Sequence, residues 1–318
     1  IASKSFTTAE TFLNAGSVLD WMRGEGVSDP FGKIVALTAK PEAAVAWGVD
    51  ESRILPFAGT VGGRYSVWSS IGFSVALALG FERFEDLLAG AAEMDRHFKD
   101  APLDQNLPAI AAFSDQYYAQ VRNYQTRAVF AYDERLKLLP DYLQQLEMES
   151  NGKSVTAEGK PLDRESSPIV WGGVGTDAQH AVFQLLHQGT HLVPVEFLAV
   201  IEPGHSLAPS HHEGLLLNCF AQGAALMNGK QSSDGNRNYP GDRPSVTILL
   251  DSLEAKTLGA LLAFYEHRTF VNASLLGINP FDQFGVELGK EMANQLLSGD
   301  GNKLDASTEQ LKKRAFPA

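Results

Sequence analysis

Short apolar runs, several of them β-branched, alternate along the chain with longer stretches in which apolar residues recur every three to four positions. Continuous apolar runs are typical of buried parallel strands, and the longer period is typical of helices. Six runs are predicted as strands: KIVALTA (33–39), RILPF (53–57), AVFAY (128–132), PIVWGG (168–173), HLVPVEFLAVI (191–201) and SVTILLDS (245–252). The alternation predicts an α/β fold with parallel sheets and flanking helices.

The helical period predicts helices over residues 8–23, 71–80, 84–98, 139–149, 179–189, 212–229, 256–277 and 281–297. Between residues 69 and 125 there are helices and no strand, which predicts one sheet ending near residue 60 and a second beginning near residue 128. The first sheet then has two strands and the stub IA, fewer than doubly wound sheets usually contain. We therefore expect the chain to begin inside a domain whose earlier strands are absent.

Composition and charge exclude several classes of protein and partner. The 318 residues are 44% hydrophobic and 20% charged, which is ordinary for a globular protein. A net charge of -12 argues against nucleic acid or an anionic membrane as the main partner. The single cysteine, Cys219, excludes an internal disulfide and is expected to be buried. No apolar run has transmembrane length, so we expect a cytoplasmic protein.

The opening IASKSFTTAET places hydroxyls and a lysine between a strand stub and a helix start. Unpaired N–H groups and the helix dipole make such a junction a natural anion site, and phosphate is the obvious ligand. The alternative is a capping box formed by Thr7 and Glu10, with the other hydroxyls in a solvated loop.

Two further stretches carry charge where structure alone would not require it. Arg64 follows Gly62 and Gly63, which allow a close backbone approach to a ligand, and its guanidinium could hold an oxyanion. Glu149 is predicted at the end of a helix, where the dipole disfavours a carboxylate. It is therefore either solvated or placed for proton transfer.

A third stretch, GGVGTDAQH, contains an incomplete dinucleotide-type glycine loop and leads into a predicted helix whose first turn carries His180, a candidate acid or base. In the fourth, Gln283 and Lys290 are seven residues apart and are predicted on one helix face. A metal set of His205, His211, His212 and Glu213 lacks helical ligand spacing, so we expect no metal.

Together these stretches resemble the glucose-6-phosphate isomerase family. The similarity is carried by SKSFTTAET, VGGRYSVWSSIGFSVAL, MESNGK, GTDAQHAVFQLLHQGT and FDQFGVELGK, and it covers almost all of residues 1–300. The chain departs from the family pattern at WGGVGTDAQH, at Ser5 and at Gly59. None of these departures removes a group with a direct catalytic role.

The resemblance implies two sugar isomerase (SIS) domains, each a parallel sheet flanked by helices, with the first domain incomplete. Residues 1–80 would be the later part of the first domain, 81–300 a helical bridge and the second domain, and 301–318 a C-terminal tail. The family's N-terminal half holds the substrate phosphate with a Gly-Ser-rich loop. We expect this chain, which lacks that half, to be far less active alone than the complete protein.

The resemblance also implies a role for each candidate residue. It implies that Glu149 moves a proton between C2 and C1 through a cis-enediol and that Arg64 stabilises the developing charge. His180, supplied by the neighbouring subunit of a homodimer, would assist ring opening with Lys290 nearby. The groups expected to bind substrate are Ser3, Lys4, Ser5 and Thr8 at the phosphate, and Gly63, Gln145 and Gln283 around the sugar. No cofactor is implied.

Two other functions remain in view from the sequence. A non-catalytic sugar-phosphate-binding SIS module would explain the phosphate cluster but has no need of Glu149 or Lys290. A nucleotide-dependent oxidoreductase would explain only the incomplete glycine loop. An isomerase explains all of the charged stretches together.

Overall fold

The structure is a computed structural model that describes residues 1–298 and 305–317. Contacts divide the chain into a compact unit, Ile1–Pro280, and a second unit, Phe281–Ala318. The strands are β1 (Ala36–Thr38), β2 (Ile54–Pro56), β3 (Thr126–Tyr132), β4 (Ile169–Val174), β5 (Val195–Val200) and β6 (Ser245–Leu250). Each falls within or overlaps one of the six predicted runs, so the predicted α/β class is confirmed.

The first sheet pairs β1 with β2 in parallel, Leu37 opposite Leu55. The start of the chain extends this sheet, because Ala2 forms a parallel bridge to Leu37 on the other side of β1. The predicted strand stub is therefore confirmed. All three carboxyl ends lie at one edge of the sheet, where ligands of open parallel sheets usually bind.

The second sheet is parallel throughout, with strand order β4-β3-β5-β6. Successive residues of β3 face opposite sides: Val129 and Ala131 belong to one apolar core and Ala128 and Phe130 to the other. Helices cover both faces, which explains why the strands are continuously apolar rather than alternating. Cys219 is fully buried in the second core, as expected, and burial raises the pKa of its thiol to about 12.

The helices agree with the predicted pattern in most places. Their bounds are α1 (Ala9–Gly24), α2 (Pro41–Trp47), α3 (Phe73–Leu79), α4 (Phe81–Asp100), α5 (Leu107–Gln116), α6 (Leu139–Leu143), α7 (Gly175–Ala181), α8 (Phe183–Gln188), α9 (Pro209–Asn228), α10 (Ala255–Leu276), α11 (Glu287–Ser298) and α12 (Ala306–Ala315). π-Helical segments follow α5 (Tyr117–Val121) and α6 (Gln144–Glu149).

The structure differs from the predicted helices in several places. The helix predicted over residues 179–189 begins at Gly175 and breaks at Val182 into α7 and α8. Short helices α2 and α5 were not predicted. The predicted C-terminal tail contains α12 within its described residues, with Asp305 capping the first turn by accepting a hydrogen bond from the Thr308 N–H. The predicted domain boundaries at residues 80 and 300 stay predictions.

Helices α4 and α10 meet backbone to backbone. A Cβ atom on Gly90 would lie 1.8 Å from the Lys256 carbonyl oxygen, and one on Gly259 would lie 1.9 Å from that of Leu87. No side chain fits in either place. These contacts fix α10, which carries several of the charged side chains described below. Among the described residues, no helix has the length and apolar character needed to cross a membrane.

Candidate active site

Arg64 lies in the 3-10 turn Gly63–Tyr65 beyond the carboxyl end of β2, and its side chain is 1% exposed. Its Nε donates a hydrogen bond to the Ser150 hydroxyl at 2.6 Å, and Nη2 donates to the Pro280 carbonyl oxygen at 2.6 Å. Its Nη1 lies 3.4 Å from Oε2 of Glu149. The guanidinium is thus oriented by two neutral acceptors while one nitrogen faces the carboxylate.

Glu149 ends the π-helical segment that continues α6, and its side chain is 19% exposed. The prediction that a helix ends at Glu149 is wrong by two residues, because helical backbone continues through Ser150 and Asn151, and the segment that leads into them is π rather than α. The Gln145 amide nitrogen donates to Glu149 Oε2 at 3.1 Å, and Lys153 Nζ donates to the Glu149 backbone carbonyl at 2.8 Å. Such π turns are rare and occur often at functional sites.

Ser150 and Tyr65 form a hydrogen-bonded group with Arg64, next to Glu149 in the chain. The Ser150 hydroxyl is fully buried, and its oxygen lies 2.8 Å from the Tyr65 hydroxyl as well as accepting from Arg64. Burial raises the pKa of Tyr65, so the phenol stays neutral. This arrangement fixes the guanidinium plane relative to the Glu149 backbone.

The opening residues form a separate group of hydroxyls. Ser3 Oγ lies 3.0 Å from Thr8 Oγ1, and Ser5 Oγ lies 2.7 Å from Thr7 Oγ1. The Lys4 carbonyl oxygen accepts from the Ala39 N–H at 3.1 Å, which holds this loop at the carboxyl edge of the first sheet. The Lys4 side chain is exposed.

The alternative capping box is wrong. The N-cap of α1 is Thr8 rather than Thr7, and no side chain caps it. The first-turn N–H groups of α1 are therefore not occupied by a side-chain cap, as the anion-site interpretation requires.

The structure places His180 differently from its prediction. It lies in the last turn of the seven-residue helix α7, not in the first turn of a helix, and it is exposed. The prediction failed because the glycines before it suggest a loop, whereas α7 already begins at Gly175. A Cβ on Gly175 would lie 2.2 Å from the Tyr132 ring, so glycine is required where the helix crosses the strand end.

Gln283 and Lys290 belong to the second unit, which is described by itself. Lys290 is on α11 and exposed, whereas Gln283 precedes the 3-10 turn Phe284–Val286. The prediction that both lie on one face of a single helix is therefore wrong.

One histidine of the alternative metal set, His212, is hydrogen-bonded to the backbone. His212 is buried, and its Nε2 donates to the carbonyl oxygens of Val200 and Ile201 at 2.9 Å each. Among the residues that the structure describes, no three His, Cys, Asp or Glu side chains are grouped to hold a metal ion.

A group of buried charges that the sequence pattern does not predict includes Glu147 of the π-helical segment, and we call it the buried charge cluster. Each member is at most 7% exposed; the members are Asp115, Arg127, Glu147, Glu196 and Arg268. Arg127 pairs with Glu147 and, at 3.2 Å, with Asp115. Arg268 pairs with Asp115 and with Glu196, both at 2.6 Å.

The cluster holds three carboxyl groups and two guanidinium groups. Burial opposes ionisation of Asp115, but the charges of Arg268 and Arg127 outweigh it and lower its pKa to about 2. At Glu147 burial prevails and raises the pKa. A signal was available in the sequence: Glu196 interrupts the apolar run of β5, and a glutamate inside a buried strand requires a partner.

A further acid, the half-buried Glu266, is hydrogen-bonded to Trp68, four residues after Arg64. Trp68 Nε1 donates to both carboxyl oxygens of Glu266, at 3.0 and 2.9 Å. Burial raises the pKa of Glu266 from 4.5 to about 7, and the negative charge of Asp95 adds to the effect.

A cavity elsewhere in the described part of the chain does not coincide with these residues. It has a volume of about 710 Å³ and is lined by residues at the amino ends of β3 and β5, including Thr126 and Val193. Ligands of parallel sheets bind beyond the carboxyl ends of the strands. The chemistry of Arg64 and Glu149, rather than cavity size, therefore identifies the candidate site.

The chain also matches known proteins over nearly its whole length. The family model for phosphoglucose isomerase matches residues 1–311. A glucose-6-phosphate isomerase of Novosphingobium aromaticivorans is 70% identical over 311 residues, covering 98% of this chain and 61% of that protein. One from Zymomonas mobilis is 62% identical over 312 residues, covering 98% and 62%.

A solved structure gives the same result. The crystal structure of a glucose-6-phosphate isomerase from Chlamydia trachomatis superimposes with a TM-score of 0.91 at 35% identity, covering 99% of this chain and 62% of that one. The chain thus spans about three fifths of the length of the relatives that it matches.

Proposed function

The chain belongs to the phosphoglucose isomerase family, and on that premise we propose that the protein interconverts glucose 6-phosphate and fructose 6-phosphate. The observation that carries the proposal is the pair formed by Arg64 and Glu149. A partly exposed carboxylate lies 3.4 Å from a buried guanidinium that is fixed by other partners. Isomerisation of an aldose to a ketose needs a base with a cation beside it.

The chemistry follows from the weak acidity of a C–H group next to a carbonyl. Glu149 removes the proton from C2 of the open-chain aldose, and the electron pair moves onto the carbonyl oxygen to give a cis-enediol intermediate. Arg64 stabilises the negative charge on that oxygen. Glu149 then returns the proton to C1 while the proton of the C2 hydroxyl passes to O1, which gives the ketose. The aldose and the ketose have the same atoms and the same overall oxidation state, so the reaction needs no added oxidant or reductant.

The phosphate would bind at the opening residues Ser3, Lys4, Ser5 and Thr8. These offer hydroxyls, an exposed ammonium group and the uncapped N-terminus of α1, all at the carboxyl edge of the first sheet. Gly63, Gln145 and Gln283 would line the sugar. A Cβ on Gly63 would meet no atom within 4 Å, so this position leaves room for a ligand.

Ring opening would be assisted by His180 with Lys290 nearby. The exposure of His180 on α7 supports a role in which its imidazole enters the site of a second copy of the protein. We therefore propose a homodimer that acts in the cytoplasm, in glycolysis and gluconeogenesis.

The direct test is a turnover assay of the purified protein with fructose 6-phosphate, in the presence and absence of a chelator. We expect glucose 6-phosphate to form at equal rates in both. Glu149→Gln should lower kcat by about 10²–10⁴-fold with KM nearly unchanged, the usual scale for a general base. The control is Glu85→Gln on the exposed face of α4, which should leave kcat unchanged.

Three results would contradict the proposal. The first is no turnover by the unaltered complete protein, and the second is activity that a chelator abolishes and a divalent ion restores. The third is a Glu149→Gln variant that keeps its kcat but binds substrate weakly, which would mean that Glu149 only positions the sugar.

A further inference from the structure

We propose that Glu147 and Asn151 are positioning residues that hold Glu149 in place, anchored respectively on Arg127 of β3 and on the Thr269 carbonyl oxygen of α10. The inference rests on the proposed function, because it concerns the base of that reaction. Glu147 and Asn151 are buried and are not proposed to contact the substrate.

The first attachment lies two residues before the base. The Glu147 carboxylate accepts a hydrogen bond from Arg127 at the start of β3, and Arg127 is in turn paired with Asp115 of α5. Glu147 is 2% exposed. Moving this part of the π turn would separate a buried ion pair, which is strongly unfavourable.

The second attachment lies two residues after the base. The Asn151 amide nitrogen donates to the Thr269 carbonyl oxygen of α10 at 3.0 Å. Arg268, the preceding residue of α10, is paired with Asp115 and Glu196. Both attachments therefore end on the same rigid group of elements.

Between these two points the chain has little freedom. Ser150 is fully buried and contacts Arg64, whereas the Glu149 side chain is partly exposed. A π turn is less favourable than an α turn and persists where tertiary contacts require it. A general base must also be held to within about 0.5 Å of its working geometry. The buried attachments meet both requirements.

The test compares two buried glutamates of the same cluster. Glu147→Leu removes the attachment, and Glu196→Leu removes an equally buried partner of Arg268 that lies on β5, away from the π segment. Both variants should lose stability to a similar extent. We expect Glu147→Leu to lower kcat by about 10–100-fold with KM within about threefold, and Glu196→Leu to lower kcat less than about threefold. Glu147→Gln, whose amide oxygen can still accept from Arg127, should restore most of the lost kcat.

A milder pair keeps the test decisive if the leucine variants do not fold. Asn151→Ala removes the second attachment without unpairing a charge. Its control is Asn272→Ala, which removes the hydrogen bond that a buried α10 amide donates to Asp115 at 2.9 Å. Asn151→Ala should lower kcat at least about fivefold more than the control. Equal kcat values within each pair would overturn the proposal.

Amide hydrogen exchange separates this inference from the proposed function. Peptides that cover residues 144–152 should exchange faster in Glu147→Leu and Asn151→Ala than in their controls, whether or not the protein turns over sugar phosphate. An inactive unaltered protein with this pattern would refute the isomerase and keep the positioning role. An active protein without this exchange pattern would support the isomerase and refute the positioning role.

Discussion

Stability should depend on pH through Glu266, a half-buried residue whose carboxyl group accepts hydrogen bonds from Trp68. Its pKa is raised by burial from 4.5 to about 7, so the folded protein holds this proton more tightly than the unfolded chain does. The resulting stabilisation is fully present below pH 4.5 and is lost as the pH rises to about 7. At 1.36 kcal/mol per pH unit, the total loss is about 3 kcal/mol.

Glu266→Gln removes the titration and keeps an oxygen that can accept from Trp68. Other titrating groups cancel when the variant and the unaltered protein are compared at each pH. The difference in their free energies of unfolding should shift in favour of the variant by about 2.5 kcal/mol between pH 5 and pH 8.

Urea denaturation at several pH values measures this difference. Glu85→Gln is the matched control, because Glu85 is exposed on α4 and its replacement should give a difference that does not change with pH. A Glu266→Gln difference that stays constant within about 0.5 kcal/mol from pH 5 to pH 8 would refute the reasoning, since it would mean that Glu266 ionises equally easily in both states.

Four further variants test other features. Ser150→Ala removes the buried hydroxyl that Arg64 and Tyr65 both contact, and should lower the free energy of unfolding by about 1–3 kcal/mol in urea titrations; an unchanged value would mean that the hydroxyl is not structurally important. Gly259→Ala forces a Cβ against the Leu87 carbonyl and should destabilise by about 1–3 kcal/mol or more. Gly214→Ala on α9, whose Cβ would meet no atom within 4 Å, should instead stabilise by up to about 1 kcal/mol, and equal thermal shifts for the two glycine variants would contradict this. Lys4→Ala should raise KM for the sugar phosphate with little change in kcat, and an unchanged KM in steady-state kinetics would remove Lys4 from the phosphate site.

The sheets could be predicted from the sequence because buried parallel strands leave a direct trace, a continuous apolar run between turn residues. No comparable sequence pattern predicts the side chains that contact Arg64. Ser150 and Tyr65 meet although they are 85 positions apart, and no periodicity encodes that contact. His180 was misplaced because glycines before a helix resemble a loop in sequence, whereas Gly175 is needed there to pass the Tyr132 ring.

The buried charges were the largest omission. Arg127 stands at the edge of a predicted strand and Glu147 two residues from the predicted base, and each could equally be solvated in a sequence pattern. Only the three-dimensional arrangement shows that they neutralise one another. Glu196 is the exception, since its position within an apolar run already indicates a buried partner.

Helix α10 concentrates unrelated requirements in four consecutive positions. Glu266 faces Trp68, Arg268 joins two buried carboxylates, and the Thr269 carbonyl holds Asn151. The helix cannot rotate or slide to accommodate a change at one of these positions, because Gly259 locks it against α4. In a saturation mutagenesis library, Glu266–Thr269 should therefore tolerate fewer substitutions than the exposed hydroxyls at the start of the chain, although none of the four is proposed to touch the sugar. Sequence variation within this stretch should occur as coupled changes rather than singly.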